Sequence, residues 1–391
     1  MKIFRLLLTA ATAVSVSALS SCIQKEPLNT ECDIETATLP DEGDLIRPAQ
    51  IVDRIDDHTV TFIVRNYVDL TSLAPEFTIT PGATIEPASG TDRDFTTPQK
   101  YTVTSEDGEW SKTYTVIAKH DDPIALKYDF ENVRILASAQ GGTYDEFVEL
   151  EPENPDDPTG PQKVNMAWAS GNIGFALTNG KKGPDTYPTF QADNGFTGKC
   201  AELITRSTGT LGSWVGLPLA AGNLFIGTFE IQNATTKPLE ATHFGLPFYN
   251  VPIALRGFYK YTAAAPFMQL VNKKLVEVPG RVDECDIYGV FYERTADMDY
   301  LDGNNVLSDD NPNIIAIARL DEEQRKGAED WTFFNCAFVY RPGKTLDPEK
   351  LKNGVYALAV VMTSSIEGAK FSGAIGSTLF VDEVEVVCID K

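Results

Sequence analysis

Large aromatic side chains occur in the C-terminal two thirds of the 391-residue sequence at positions that a buried core does not fully explain. Trp168 and Trp214 lie among small and polar residues, so packing and exposed roles are both open. Tyr259 and Tyr261 share one face of a predicted strand, as a platform or as ordinary cross-strand packing. Flat rings beside polar groups suit a pyranose, because rings cover its apolar face while polar groups bond its hydroxyls. The predicted carbohydrate-binding residues are Trp168, Trp214, Tyr249, Arg256, Tyr259 and Tyr261.

The closing stretch, residues 376–387, alternates apolar and polar residues but changes phase between Asp382 and Glu383. A β-bulge there would restore the alternation and re-aim one carboxylate. The simpler interpretation is a buried strand with an acidic kink. The alternative is a carboxylate aimed at a structural calcium ion, joined by Asp129 and Glu131 if the first and last strands of the domain are neighbours. The predicted metal ligands are therefore Asp129, Glu131 and Asp382.

Catalytic motifs give little support to an enzyme. The sequence has neither G-x-S-x-G nor H-E-x-x-H, and His243 is the one histidine of the C-terminal part. A glycosidase needs two carboxylates at a set separation across a cleft. In so acidic a chain carboxylates alone carry little information, and the candidates are Asp129, Glu131, Glu383 and Glu385. We predict no catalytic residue and keep hydrolysis by a carboxylate pair as an alternative function.

Composition limits the class of protein. The formal net charge of −23 and the pI of about 4.5 disfavour nucleic acid and anionic membrane surfaces as partners. A hydrophobic content of 42% is enough for a proper core. Many short runs rich in Val, Ile, Phe and Tyr, separated by glycine and proline, predict an all-β protein.

The N-terminus has the pattern of a secretion signal over residues 1–21: a positively charged start, an apolar stretch and small residues before Cys22. Leu19-Ser20-Ser21-Cys22 resembles the lipobox of bacterial lipoproteins, which implies cleavage before Cys22 and acylation of that residue. A secreted protein with a chance cysteine is the alternative. Because several acyl chains attach a protein firmly, we predict a membrane anchor at Cys22 with residues 22–30 as the tether. Disulfides among the other cysteines are left open.

Residues 31–121 are predicted to form an immunoglobulin-like β-sandwich that acts as a spacer. Its strongest signal is a hairpin, in which residues 101–104 and 112–117 alternate on either side of a glycine-containing turn. The polar, turn-forming residues 120–123 mark the predicted boundary.

Residues 122–391 contain strand after strand with no crossover helices between them, which favours a second, larger β-sandwich, a jelly roll. Brief helical turns are predicted only at residues 321–326 and 346–353.

Segments over nearly the whole chain after Cys22 carry a family resemblance: Glu31-Cys32-Asp33-Ile34, Pro81 to Gly90, Tyr101 to Gly108, Gly257 to Tyr261, Leu301-Asp302-Gly303 and Gly376 to Val387. In these segments the chain resembles Bacteroidales lipoproteins whose C-terminal part is called the putative carbohydrate metabolism domain. The resemblance implies an immunoglobulin-like module followed by a jelly roll similar to carbohydrate-binding modules, in which calcium is a common structural ion. Some members are labelled glycosidases.

The predicted function is that of an outer-membrane lipoprotein that faces the cell exterior and binds poly- or oligosaccharides during carbohydrate acquisition. An adhesin-like protein that binds another protein is a further alternative, for which we expect an exposed apolar patch without a sugar-sized groove.

Overall fold

The computed structural model describes residues 27–41, 44–45, 48–54, 57–64, 68–120, 124–150, 164–179 and 182–389. The predicted signal segment and Cys22 lie outside these residues. The chain divides into two units, Met1–His120 and Asp121–Lys391, one residue before the predicted boundary. Among the described residues, no helix combines the length and the apolar character that a membrane span requires.

The first unit is built from short strands. They are β1 (Ile34–Thr38), β2 (Gln50–Arg54), β3 (Asp57–Val64), β4 (Glu76–Ile79), β5 (Thr84–Glu86), β6 (Gln99–Thr104) and β7 (Ser111–His120). One sheet has the order β2-β3-β7-β6-β5, and β1 pairs with β4 in another. The predicted hairpin is confirmed as β6 and β7, which pair antiparallel. Alternate residues of both strands, such as Tyr101, Val103, Tyr114 and Val116, enter one core.

The second unit is also dominated by strands. They are β8 (Lys127–Tyr128), β9 (Val133–Ala137), β10 (Thr143–Leu150), β11 (Val164–Ala167), β12 (Thr189–Ala192), β13 (Cys200–Ile204), β14 (Arg206–Ser207), β15 (Leu219–Ala220), β16 (Asn223–Phe225), β17 (Gly227–Phe229), β18 (Thr242–Phe244), β19 (Leu246–Pro247), β20 (Pro252–Thr262), β21 (Met268–Val271), β22 (Lys274–Glu277), β23 (Asp286–Glu293), β24 (Ile314–Arg319), β25 (Ala328–Ala337), β26 (Val339–Tyr340), β27 (Tyr356–Thr363) and β28 (Thr378–Cys388).

Two sheets of this unit face each other across one core. The front sheet has the order β12-β13-β28-β20-β25, with β8 paired to β28, and the back sheet has the order β16-β27-β23-β24-β26, with β19 paired to β27. Taken in chain order, β13, β16, β20, β23, β24, β25, β27 and β28 form the sheets β13-β28-β20-β25 and β16-β27-β23-β24. This interleaving is the strand order of a jelly roll, so the predicted fold class is confirmed.

The core between the sheets follows from alternation along the strands. Leu255 and Val381 of the front sheet pack in the same cluster as Ile287 and Val360 of the back sheet. The back sheet is covered on its outer face as well, where a second cluster contains Val290 and other alternate residues of β23 and β27. Burial on both faces explains why these two strands read as nearly continuous apolar runs.

The helices are short. They are α1 (Asn172–Asn179), α2 (Gly209–Val215), α3 (Glu322–Lys326) and α4 (Pro348–Lys352), with 3₁₀ turns at Pro184–Thr186, Pro238–Glu240 and Gly368–Lys370. The two predicted helical turns are confirmed as α3 and α4, and α3 begins with a capping box between Asp321 and Gln324. α1 and α2 were not predicted, because they are short and each contains glycine, which has a low helical propensity.

The predicted bulge in β28 is confirmed. Arg256 of β20 pairs with Glu385 and Phe258 pairs with Asp382, so the two residues Glu383 and Val384 stand opposite Gly257. Glu383 has a positive φ of 47°. A Cβ at position 257 would lie 3.0 Å from the Val384 Cα, which explains a glycine there. The apolar residues on both sides of the bulge therefore point into one core.

Candidate functional site

The outer face of the front sheet carries aromatic rings in contact with solvent. Along β20, Leu255, Tyr259 and Tyr261 point into the core. The alternate residues Arg256 and Phe258 therefore point outward. Phe258 pairs across the sheet with Phe333 of β25, and their ring centroids are 5.4 Å apart.

Two further rings extend this surface. Phe196, from the loop between β12 and β13, stacks on Phe258 with a centroid distance of 3.7 Å and an interplanar angle of 8°. Trp331 meets Phe196 edge to face at 6.3 Å. Phe196 and Phe333 are 46% and 51% exposed, so their rings are accessible to a ligand. We call Phe196, Phe258, Trp331, Phe333 and Phe380 the aromatic face.

Charged side chains are interleaved with these rings. The Lys260 Nζ lies 4.7 Å from the ring centroids of both Trp331 and Phe380. Arg256 donates to Glu385 through Nε at 2.8 Å and Nη2 at 2.6 Å. The aromatic face therefore offers hydrogen-bonding groups at the edges of its rings, unlike a purely apolar patch.

The β-bulge positions the loop that carries Phe196. Asp382 is fully buried, and its Oδ2 accepts a hydrogen bond from the Thr197 backbone N–H at 2.9 Å. Its Oδ1 accepts from the Glu383 N–H at 2.8 Å. Burial raises the pKa of the Asp382 carboxyl to about 6, and these two bonds oppose the rise. At the other end of the loop, Glu131 accepts from the Lys199 N–H at 2.7 Å.

These contacts bear on the predicted calcium site. The first and last strands are neighbours, since β8 pairs with β28. However, Asp129 and Glu131 each accept a backbone N–H at one oxygen and Asp382 accepts one at each of its two oxygens, so the three carboxylates already serve as acceptors for the protein backbone. Among the described residues, no three His, Cys, Asp or Glu side chains come together in a way that could hold a metal ion. The arrangement does not fit calcium at these three residues, and we derive no role for the ion.

Four predicted carbohydrate-binding residues lie in the interior. Trp168, Tyr249, Tyr259 and Tyr261 are between 1% and 7% exposed. Tyr259 donates from its hydroxyl to the Gln324 carbonyl, and Tyr261 donates to the Ser364 carbonyl. Because a buried ring presents no face to a sugar, we correct their assignment to core packing.

The other two predicted residues are exposed. Arg256 lies beside the aromatic face. Trp214 is 82% exposed and belongs to α2. That helix lies over the back sheet, where its residues Gly212 and Val215 line a cavity with Val361. The structure therefore does not bring Trp168 and Trp214 together.

The rings of the aromatic face were not among the predicted contacts. The signal that identifies them is charge, since Arg256 and Lys260 alternate with Tyr259 and so mark the outward side of β20. Phe258 lies between these two cations and must share their side of the strand. Phe196 carries no such signal, because its position depends on a loop held by a residue far along the chain.

Trp168 has a structural role that involves a half-buried acid, Glu149. Its Nε1 donates to the Glu149 Oε1 at 3.1 Å. Burial raises the pKa of the Glu149 carboxyl from 4.5 to about 7, against the effect of this hydrogen bond. Between these two values the folded protein holds more protons than the unfolded chain. The free energy of unfolding therefore falls as the pH rises through this window and levels off above it.

We expect Glu149→Gln to reduce that fall between pH 5 and pH 7.5 by about 1–2 kcal/mol, because glutamine still accepts the indole hydrogen bond but does not ionise. Urea unfolding at the two pH values measures the effect. The control is Glu146→Gln, on the same strand as Glu149, which changes an ion pair with Arg134 of β9. An unchanged pH dependence in Glu149→Gln would contradict this assignment.

Comparisons with known proteins agree with this architecture. Residues 129–387 match the family model described as "Putative carbohydrate metabolism domain", and residues 46–117 match "SGBP, N-terminal", the N-terminal domain of surface glycan-binding proteins. No curated protein matches the chain.

Two solved structures from Bacteroides are similar over most of their length. One, described as a putative glycoside hydrolase from Bacteroides thetaiotaomicron, is 45% identical, with 94% of this chain and 99% of that chain covered and a TM-score of 0.63. Another, described as a putative glycoside hydrolase from Bacteroides vulgatus, is 40% identical, with 68% of this chain and 98% of that chain covered and a TM-score of 0.59. The chain therefore belongs to the family of the putative carbohydrate metabolism domain.

Proposed function

We propose that this protein is a surface lipoprotein that binds glycans through the aromatic face of its jelly roll. The observation that supports this most is the set of accessible rings on the front sheet, with Lys260 and Arg256 beside them. Rings of this kind pack against the apolar faces of sugars, and the adjacent charged groups bond their hydroxyls. The match of residues 46–117 to surface glycan-binding proteins supports the same function.

The shape of the aromatic face favours a chain over a single sugar. Its rings lie on an open sheet and enter from β20, β25, β28 and the loop that carries Phe196. An open surface contacts each sugar on one side only, so useful affinity requires several sugars to pack on successive rings. The proposed ligand is therefore an oligosaccharide or a polysaccharide segment.

We propose that Cys22 is acylated and anchors the protein in the outer membrane, with the jelly roll facing the cell exterior. In a bacterial host that processes lipoproteins, we expect the wild type to incorporate labelled palmitate and to sediment with membranes. Cys22→Ala is expected to lose both properties, because it removes the acylated thiol. Cys388→Ala is the control and should label like the wild type. Labelling of Cys22→Ala would refute the anchor.

Hydrolysis is the alternative function, and one observation favours it. A carboxyl with a pKa near 7, such as Glu149, suits a general acid, and the charge of Asp129 contributes to this shift. Against it, Glu149 bonds the buried Trp168. The other carboxylates considered are also engaged: Glu131 bonds Lys199 and Glu385 bonds Arg256. Glu383, at the bulge, is exposed.

A glycan array followed by isothermal titration calorimetry tests the proposal, with an assay for released reducing ends run in parallel. We expect saturable binding to at least one glycan and no release of reducing ends. Release would show a hydrolase. If the array and the calorimetry detect no binding and no reducing ends are released, glycan binding is contradicted and a protein partner for the aromatic face is favoured.

A further inference from the structure

A cavity of about 240 Å³ lies against the outer face of the back sheet, on the opposite side of the sandwich from the aromatic face. Its floor is formed by two cross-strand rows. One row runs Asn223, Thr363, Asp286, and the other runs Phe225, Val361, Tyr288, Arg319. The walls come from α1, α2 and the 3₁₀ turns Pro238–Glu240 and Gly368–Lys370.

Most of the lining is apolar, including Phe175, Leu217, Phe229 and Leu239 on the walls. A free sugar would leave most of its hydroxyls without partners against such walls, and each buried hydroxyl without a partner is costly. The cavity therefore differs in chemistry from the aromatic face and suits a ligand whose body is apolar.

The floor contains one ion pair, between Asp286 and Arg319. Asp286 is 1% exposed and accepts from Arg319 through Nε at 2.9 Å and Nη2 at 2.5 Å. Because this pair is neutral overall, it does not compensate a ligand with a full charge. In the described part of the chain, the Arg319 Nη1 has no hydrogen-bond acceptor.

The hydroxyl of Tyr288 points to a ligand independently. Tyr288 is 6% exposed and lines the cavity, and none of the described residues accepts or donates a hydrogen bond at its Oη. This hydroxyl is reached from the cavity, so it can donate to an acceptor on a bound molecule.

We propose that this cavity binds a small neutral molecule with an apolar body and one oxygen acceptor, which takes hydrogen bonds from Tyr288 and Arg319. The volume sets the size of the body. A dry cavity of about 150 Å³ holds a benzene ring, so the larger volume here accommodates a body of two fused rings or a chain of similar bulk. The site takes a different ligand from the glycan proposed for the aromatic face.

The probe for this site is prodan, a neutral naphthyl ketone whose emission shifts to the blue in an apolar setting. The matched ligand is 2-(dimethylamino)-6-propylnaphthalene, which keeps the rings and the three-carbon chain but lacks the carbonyl oxygen. With the whole purified protein, we expect saturable binding of both ligands. Tyr288→Phe should lower the affinity for prodan about fivefold, because one hydrogen bond is lost. The same variant should change the affinity for the second ligand less than twofold.

Two variants locate the binding. Ala234→Trp adds bulk to the cavity wall and should lower the affinity for both ligands at least tenfold. Trp331→Ala, on the aromatic face, should leave the affinity for both ligands unchanged. Melting temperatures confirm that each variant is folded, and Tyr288→Phe keeps the test valid if the larger side chain prevents folding. The proposal would be overturned if binding is not saturable, or if prodan binds the wild type and Tyr288→Phe with equal affinity. A loss of ligand affinity in Trp331→Ala would also overturn it.

Discussion

Replacing Trp331 and Phe333 together by alanine is expected to weaken glycan binding about 30-fold or more. The two rings belong to one surface, and removal of an anchoring aromatic residue from a binding site commonly costs about 2 kcal/mol or more. Phe333 is half exposed, so the cost in folding stability should be small compared with the loss of binding. Isothermal titration calorimetry with the glycan identified by the array measures the change.

Trp110→Ala is the matched control for this variant, because Trp110 is a 62% exposed indole in the first unit. It should bind within twofold of the wild type. If the Trp331 and Phe333 variant also binds within twofold while it remains folded, the aromatic face is not the glycan site. The exposed residues Trp214 and Leu211 on α2 would then be the next to test.

The second large effect concerns Trp168. We expect Trp168→Ala to lower the free energy of unfolding by about 3–5 kcal/mol, because the change leaves a cavity in the core. The indole meets Tyr128 edge to face at 4.8 Å and Phe130 at 5.7 Å, and its loss leaves Glu149 without its donor. Urea unfolding at pH 7 measures the change.

The same variant separates a core role from a binding role. At a temperature where Trp168→Ala remains folded, its glycan affinity should be within twofold of the wild type. Trp168→Phe should recover part of the stability, since a phenyl ring fills part of the space of the indole. A loss of binding without a loss of stability would place Trp168 in the glycan site after all.

The fold was predictable because local patterns determined most of it. The change of phase at Asp382 correctly predicted a bulge. The apolar residues before and after the change can face the same core only if an extra residue is inserted between them. The helical turn predicted at residues 321–326 is likewise present as α3. α1 and α2 were missed because tertiary packing, and not helical propensity, holds such short segments in place.

The binding residues were harder to predict than the strands. Alternation identified Tyr259 and Tyr261 as sharing a face, but alternation alone does not say which face is buried. For Trp168 and Trp214 the sequence environments are similar, yet one indole is 1% and the other 82% exposed. That difference depends on which segments cover each ring, and this depends on contacts between residues far apart in the sequence.

The position of β28 has a consequence for how the polypeptide matures. The last strand of the chain lies in the middle of the front sheet, with β13 on one side and β20 on the other. The sheet therefore cannot close until β28 has left the ribosome, after all its partner strands, and contacts this distant in sequence form slowly. A premature stop codon upstream of β28 would remove the centre of the sandwich, and a peptide supplied in trans would have to insert between two existing strands to restore it.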